Sequence, residues 1–122
     1  YRKSDLEKLW KREVFFDPEV LTPERIDLVW SHISAPGGKE AAYRSLCDLS
    51  RRERIAFWIP RIMAPTLIVW GKEERLHPID HAHRLAAEIP GAKLALLEAC
   101  GHHPVEEQPE AFLEALLPFL EG

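Results

Sequence analysis

Long apolar runs are missing from this sequence. None approaches the ~18 residues that a helix needs to cross a bilayer, so no membrane association is expected. The opening stretch YRKSDLEKLWKRE is charged throughout and lacks the apolar core of a signal peptide. Cysteine is scarce: Cys47 and Cys100 are the only two, and they lie far apart. That argues against a disulfide framework and fits a cytoplasmic protein with two thiols. Positive charge is in deficit, with 16 Lys and Arg against 20 Asp and Glu and a formal net charge of −4. The basic face that nucleic acid demands is therefore not expected. Internal repeats and low-complexity tracts are absent too, which removes solenoids and flexible linkers. The first residue is Tyr1 rather than Met, as expected of a processed or cleaved chain, or of a longer protein seen only in part.

What is present reads as two segments. The length of 122 residues, with 46% apolar and 30% charged residues, suits one modest core. Residues 1–59 carry helical signals only. SDLEKLWKREVFF places Leu6, Leu9 and Trp10 at helical spacing. In LTPERIDLVWSHISAPGG, Thr22 is a cap, Pro23 suits the first helical position and Gly37 is a stop. Ile26, Val29, Trp30 and Ile33 fall on one face of that helix. KEAAYRSLCDLSRRERIAFW reads as one or two further helices, with Leu46 and Leu49 inward and Arg51, Arg52 and Arg54 on a solvated face.

From Pro60 the pattern changes. APTLIVWG is a short, β-branched apolar run bounded by Pro65 and Gly71, the mark of a strand buried on both faces of a parallel sheet. HPIDHAHRLAAEIPGA predicts a helix with a stripe of Ile79, Ala82, Leu85, Ala86 and Ile89. AKLALLEAC predicts a second strand. QPEAFLEALLPFLEG predicts a final helix that buries Phe112, Leu116, Phe119 and Leu120 and is bent late by Pro118. Strand–helix–strand with a right-handed crossover makes the two strands parallel neighbours. Two parallel strands leave edges without partners, so the chain reads as part of a larger sheet.

In open parallel sheets, chemistry gathers beyond the C-terminal ends of the strands. The first such loop, GKEERLHP, carries Glu73 and Glu74; the second, CGHHP, carries His102 and His103. With the strands side by side, an acid and a histidine meet at one sheet end, the supporting half of a nucleophile–His–acid triad. Gly101 is expected to turn the backbone tightly past the strand and present His102. Pro104 and Glu107 start the helix that anchors the loop, with Glu107 favoured near a helix N-terminus.

These residues resemble the C-terminal part of the α/β-hydrolase fold enzymes. APTLIVWGKEERLHP followed by GAKLALLEACGHHPVEEQPEAFLEALLPFL is similar to that family's strand ending in Trp-Gly, its acid three residues after the glycine, and its Gly-His-x-Pro-x-x-Glu-x-Pro before the last helix. The resemblance covers about residues 60–121. It implies an α/β fold class: 1–59 as a helical cap or lid, including FFDPEVLTPERID, and 60–122 as the C-terminal βαβα part of the core. It implies His102 as the catalytic histidine and Glu74 as the acid, in a position where aspartate is commoner; Glu73 is the neighbouring candidate. His103 and Trp30 are read as substrate-binding. The family's nucleophile sits on a Gly-x-Ser-x-Gly elbow upstream of the cap, and no such motif occurs here. Ser31, Ser34, Ser45 and Ser50 lack that context.

The resemblance therefore implies a hydrolase whose nucleophile, serine, cysteine or aspartate, comes from a missing upstream segment. The 122 residues alone are expected to be inactive. The implied substrate is a small, largely apolar ester, lactone or ring-cleavage diketone under a lid, with no cofactor. His77, His81 and His83 do not assemble a metal shell, because Pro78 interrupts the first pair and the second points to different helix faces. Trp70 reads as core, and Trp10, Trp30 and Trp58 as packing of the cap. Two rival readings are a non-catalytic scaffold or binding module of the same fold, and a stand-alone domain that completes its sheet with a second copy.

Overall fold

The computed structural model describes residues 2–49 and 56–122, without the side chains of 46, 48 and 49. The inward reading of Leu46 and Leu49 and the cluster Arg51, Arg52 and Arg54 lie outside the described residues. The N-terminal segment is helical, as its periodicity predicts. Helix α1 spans Lys3–Leu9 and runs on as a wider π turn over Trp10–Val14, closed by Phe15 N–H donating to Trp10 O at 3.1 Å. A 3-10 turn over Pro18–Val20 follows, capped by Asp17. Helix α2 spans Pro23–Ser34 with Thr22 Oγ1 accepting from Arg25 N–H at 3.2 Å, the cap read from sequence. Helix α3 spans Gly38–Leu49. Val14, Phe15, Leu21 and Ile26 form a small core in this half, with Trp10 and Val20 packed on it.

The C-terminal segment is the β–α–β–α unit expected. Strands β1 (Leu67–Gly71) and β2 (Lys93–Leu97) pair in parallel, with Leu67 opposite Lys93 and Gly71 opposite Leu97. Helix α4 (Asp80–Glu88) joins them, and β2 is followed by a short helix α5 (Pro104–Glu107) and the long helix α6 (Pro109–Glu121). Side chains alternate along a strand, so each helix takes one set. Ile68, Trp70, Leu94 and Leu96 cluster with Ala82, Leu85, Ala86 and Ile89 around α4. Lys93, on the alternate set, reaches to 5.8 Å from the Phe119 ring of α6. Two expectations fail at the margins: Leu120 is 68% exposed and Trp58 63% exposed.

The strand ends approach the following loops so closely that no side chain fits between them. A Cβ added at Gly71 would lie 2.2 Å from the carbonyl oxygens of both Cys100 and Gly101. Lys72 N–H donates to Leu97 O at 2.9 Å and Glu73 N–H to Cys100 O at 3.0 Å, extending the ladder past the strands. Gly71→Ala forces two backbone carbonyls apart. Thermal unfolding by circular dichroism should show a loss of about 3 kcal/mol or more, at the upper end of overpacking costs.

Candidate active site

The two loops beyond the strand ends converge. Glu74 follows β1, its backbone held by a turn in which Glu74 N–H donates to Gly71 O at 3.3 Å. Its side chain is 6% exposed. One carboxylate oxygen accepts from Leu76 N–H at 2.5 Å; the other contacts His102 Nδ1 directly. His102 sits on the loop after β2, and its N–H donates to Val14 O at 2.8 Å. The acid and the histidine are thus brought together from positions 28 apart in sequence. Glu73 does different work: its Oε2 accepts from Cys100 N–H at 2.9 Å, tying the two loops to each other. Lys72 pairs with Glu98, and Arg75 donates to the carbonyls of Arg12 at 2.7 Å and Phe15 at 3.4 Å. The basic neighbours of Glu74 are therefore engaged elsewhere.

A cleft of about 160 Å³ opens at this point. Glu74, His77 and His102 provide its polar wall, and Val69, Trp70 and Pro104 its apolar one. Trp70, read as core, is half-buried and forms part of this lining; its indole nitrogen is buried with no hydrogen-bond partner among the described residues. With Nδ1 of His102 committed to Glu74, the remaining ring nitrogen is the one available for proton transfer. His103 and Trp30 are placed elsewhere. The His103 ring stacks on Phe15 at 5.3 Å and lies 5.5 Å from Trp10. Trp30 is half-buried in α2 and is not among the residues lining the cleft. No group of three or more His, Cys, Asp or Glu suited to a metal occurs among the described residues. Cys100 is fully buried and its thiol is pushed up to about 12 by burial and by the nearby Glu107, Glu73 and Glu74, so it is no nucleophile.

The loop bearing His102 owes its shape to residues whose roles the sequence did not disclose. The left-handed residue past β2 is Ala99, at φ 50°, and not Gly101; that conformation costs roughly 1–2 kcal/mol in a non-glycine residue. Gly101 is required for room: a Cβ there would meet Val14 O at 2.5 Å and Phe16 N at 2.9 Å. Glu107 is buried at 9% exposure and ends α5. Its carboxylate accepts from Gly101 N–H at 3.0 Å, His103 N–H at 3.1 Å and Phe16 N–H at 2.6 Å. It therefore brackets His102 from both sides and fastens the loop to the N-terminal segment. The Gly-His-x-Pro-x-x-Glu spacing was a signal that this glutamate matters, but nothing in it revealed burial.

A second link joins the same elements. The Arg25 guanidinium of α2 grips Glu106 through Nε–Oε2 at 2.9 Å and Nη2–Oε1 at 2.6 Å. That pairing holds the Glu106 carboxyl below its ordinary range. His103 Nδ1 lies 3.7 Å from Glu106, yet burial dominates and lowers the His103 pKa.

Comparison with known proteins follows the same lines. A model of the alpha/beta hydrolase family matches residues 2–115. The 2-hydroxy-6-oxononadienedioate/2-hydroxy-6-oxononatrienedioate hydrolase of Comamonas testosteroni is 31% identical over 110 residues, which is 86% of this chain and 37% of that protein. The 2-hydroxy-6-oxo-6-phenylhexa-2,4-dienoate hydrolase of Burkholderia cepacia is 29% identical over 127 residues, 98% of this chain and 43% of its own. A solved serine hydrolase involved in carbazole degradation shares the fold at a TM-score of 0.82 and 22% identity, across 98% of this chain and 47% of that one. The chain spans less than half the length of these relatives.

Two outcomes are expected. Glu107→Gln turns an acceptor atom into an N–H₂ facing backbone donors, and should lower stability by about 3 kcal/mol in denaturant unfolding. Acid should weaken the fold in two stages. His103 in the folded chain resists the proton that the unfolded chain takes up near 6.5, so stability is full above that pH and declines below it. The Arg25–Glu106 contribution is present above 4.5 and is lost as pH falls through the lowered folded value. Melting temperature against pH should show both limbs, and His103→Phe should abolish the first.

Proposed function

This chain belongs to the alpha/beta hydrolase family, and from that premise we propose that it is the cap and C-terminal part of a hydrolase, with 1–59 as the helical lid and 60–122 as core. The observation that carries the reading is the contact between Glu74 and His102 Nδ1 on the wall of a cleft at the ends of two parallel strands. In this reading Glu74 keeps the imidazole in the tautomer whose free nitrogen is basic and steadies the imidazolium once it forms. His102 takes the proton from an attacking hydroxyl, then returns it to the leaving group. The hydroxyl, serine in the simplest case, comes from a segment outside these 122 residues.

The substrate is a small, largely apolar ester, lactone or ring-cleavage diketone. The names of the relatives, hydrolases of 2-hydroxy-6-oxo acids, favour the last of these. His103 and Trp30 serve the substrate indirectly at most, since neither lines the cleft. No cofactor takes part. The sheet edges are completed by the remainder of the same fold in preference to a second copy, which the share of the relatives that the chain spans supports. Two thiols without a disulfide framework favour the cytoplasm; among the described residues no helix is long and apolar enough to cross a membrane.

Steady-state kinetics on the full-length protein test the reading. His102→Ala should reduce kcat by about 10⁶ and Glu74→Gln by about 10⁴, with folding retained, as loss of the corresponding triad members does. The isolated 122 residues should show no turnover above background. Undiminished activity in His102→Ala would sink the proposal.

A further inference from the structure

The proposed reaction uses one of the histidines at this end of the sheet and leaves another unexplained. His77 lies three positions after Glu74 and is half-buried in the cleft wall. Its ring centroid is 5.7 Å from that of His102 and 6.5 Å from that of Trp70. His81 stands behind it at 6.3 Å. No hydrogen bond engages either ring nitrogen of His77 among the described residues. Glu74 and His102, the other two titratable side chains of the cleft, are engaged with each other, and the rest of the wall is apolar or glycine apart from Trp70, whose indole N–H is buried without a partner among the described residues. The ring nitrogens of His77 are not buried, so they face the open cleft, where an entering group of the right chemistry takes the place of water.

We propose that His77 is a substrate-binding residue that donates its ring N–H to an acceptor oxygen, a carboxylate in the strongest case, about three bonds from the carbon at which His102 acts. An acceptor is favoured over a donor because imidazole offers an N–H in every protonation state, whereas a bare ring nitrogen exists only in the neutral one. A carboxylate makes that bond charge-assisted. Glu74, on the same wall, does not compete for His77, since its oxygens are taken by His102 and Leu76 N–H. The substrate then has an apolar body and one oxygen-bearing end, and His77 sets which end enters. This inference rests on the hydrolase reading for its chemistry but not for its binding.

Two measurements on the full-length protein separate them. The first compares kcat/KM for monomethyl succinate, which carries a carboxylate three carbons from the ester carbonyl, with that for methyl butyrate. His77→Phe should lower the ratio of the two by about tenfold or more, mainly through KM. His77→Gln, which keeps an N–H donor, should retain more of the ratio than phenylalanine does. An unchanged ratio in both variants overturns the proposal. The second adds monomethyl succinate to the His102→Ala variant and follows the imidazole resonances of His77 by NMR. A shift in His77, absent with methyl butyrate, supports the assignment even if the wild type hydrolyses neither ester, in which case only the ester form of the hydrolase reading falls. A silent His77 overturns it whatever the kinetics show.

Discussion

Glu107 accepts three backbone N–H groups from two places far apart in the chain, and the geometry of the candidate site depends on that arrangement. Gly101 and His103 flank His102 on the loop after β2, while Phe16 lies 91 residues away at the end of the first helical stretch. A buried carboxylate is costly unless its charge is met by donors. Here the donors are groups that would themselves be unsatisfied without it. Gly101 is the counterpart of this arrangement, because only a residue without a Cβ lets Val14 and Phe16 come close enough. Removing the carboxylate therefore disturbs the histidine backbone on both sides and the seam between the two segments together.

The strand register does the complementary work for the acid. Gly71 ends β1 opposite Leu97, and backbone bonds from Lys72 and Glu73 carry the pairing beyond it. That extension fixes where Glu74 leaves the sheet, so its carboxylate falls against the imidazole and not into solvent. Glu73, one position earlier, points its carboxylate at the Cys100 amide instead. Adjacent glutamates thus divide between holding the loops together and facing the histidine.

The elements of the fold were largely legible in the sequence because each is marked locally. Thr22 and Pro23 announce α2, the β-branched run announces β1, and Pro109 announces α6. That an acid and a histidine meet is legible in the loops' positions beyond two parallel strands; that they are Glu74 and His102 is what the family resemblance implies. Features that depend on contacts across the chain were not. A glutamate near a helix start reads as a favourable surface charge, and only the packing of residues 14–16 against the loop turns Glu107 into a buried acceptor. The strain at Ala99 was hidden because a glycine two positions on offered an easier explanation. Leu120 was misplaced because a helix of 13 residues is about 20 Å long, more than a pair of strands can cover. His77 reads from sequence only as a candidate metal ligand, because nothing local marks the cleft that it lines.

The distance in sequence between Phe16 and Glu107 also dictates a timetable. A ribosome delivers Val14, Phe15 and Phe16 early and the loop from Glu98 to Glu107 near the end of the stretch. Contacts of such separation form slowly, since the intervening chain must be organised first. Until the late loop arrives, Phe15, which is 1% exposed in the finished structure, lacks the His103 ring that covers it. Until then Phe15 is covered only by its neighbours in the small core, Val14, Leu21 and Ile26 with Trp10, and one face stays open, the kind of transient apolar surface that favours aggregation. The step that finally shields it is the same one that seats the histidine.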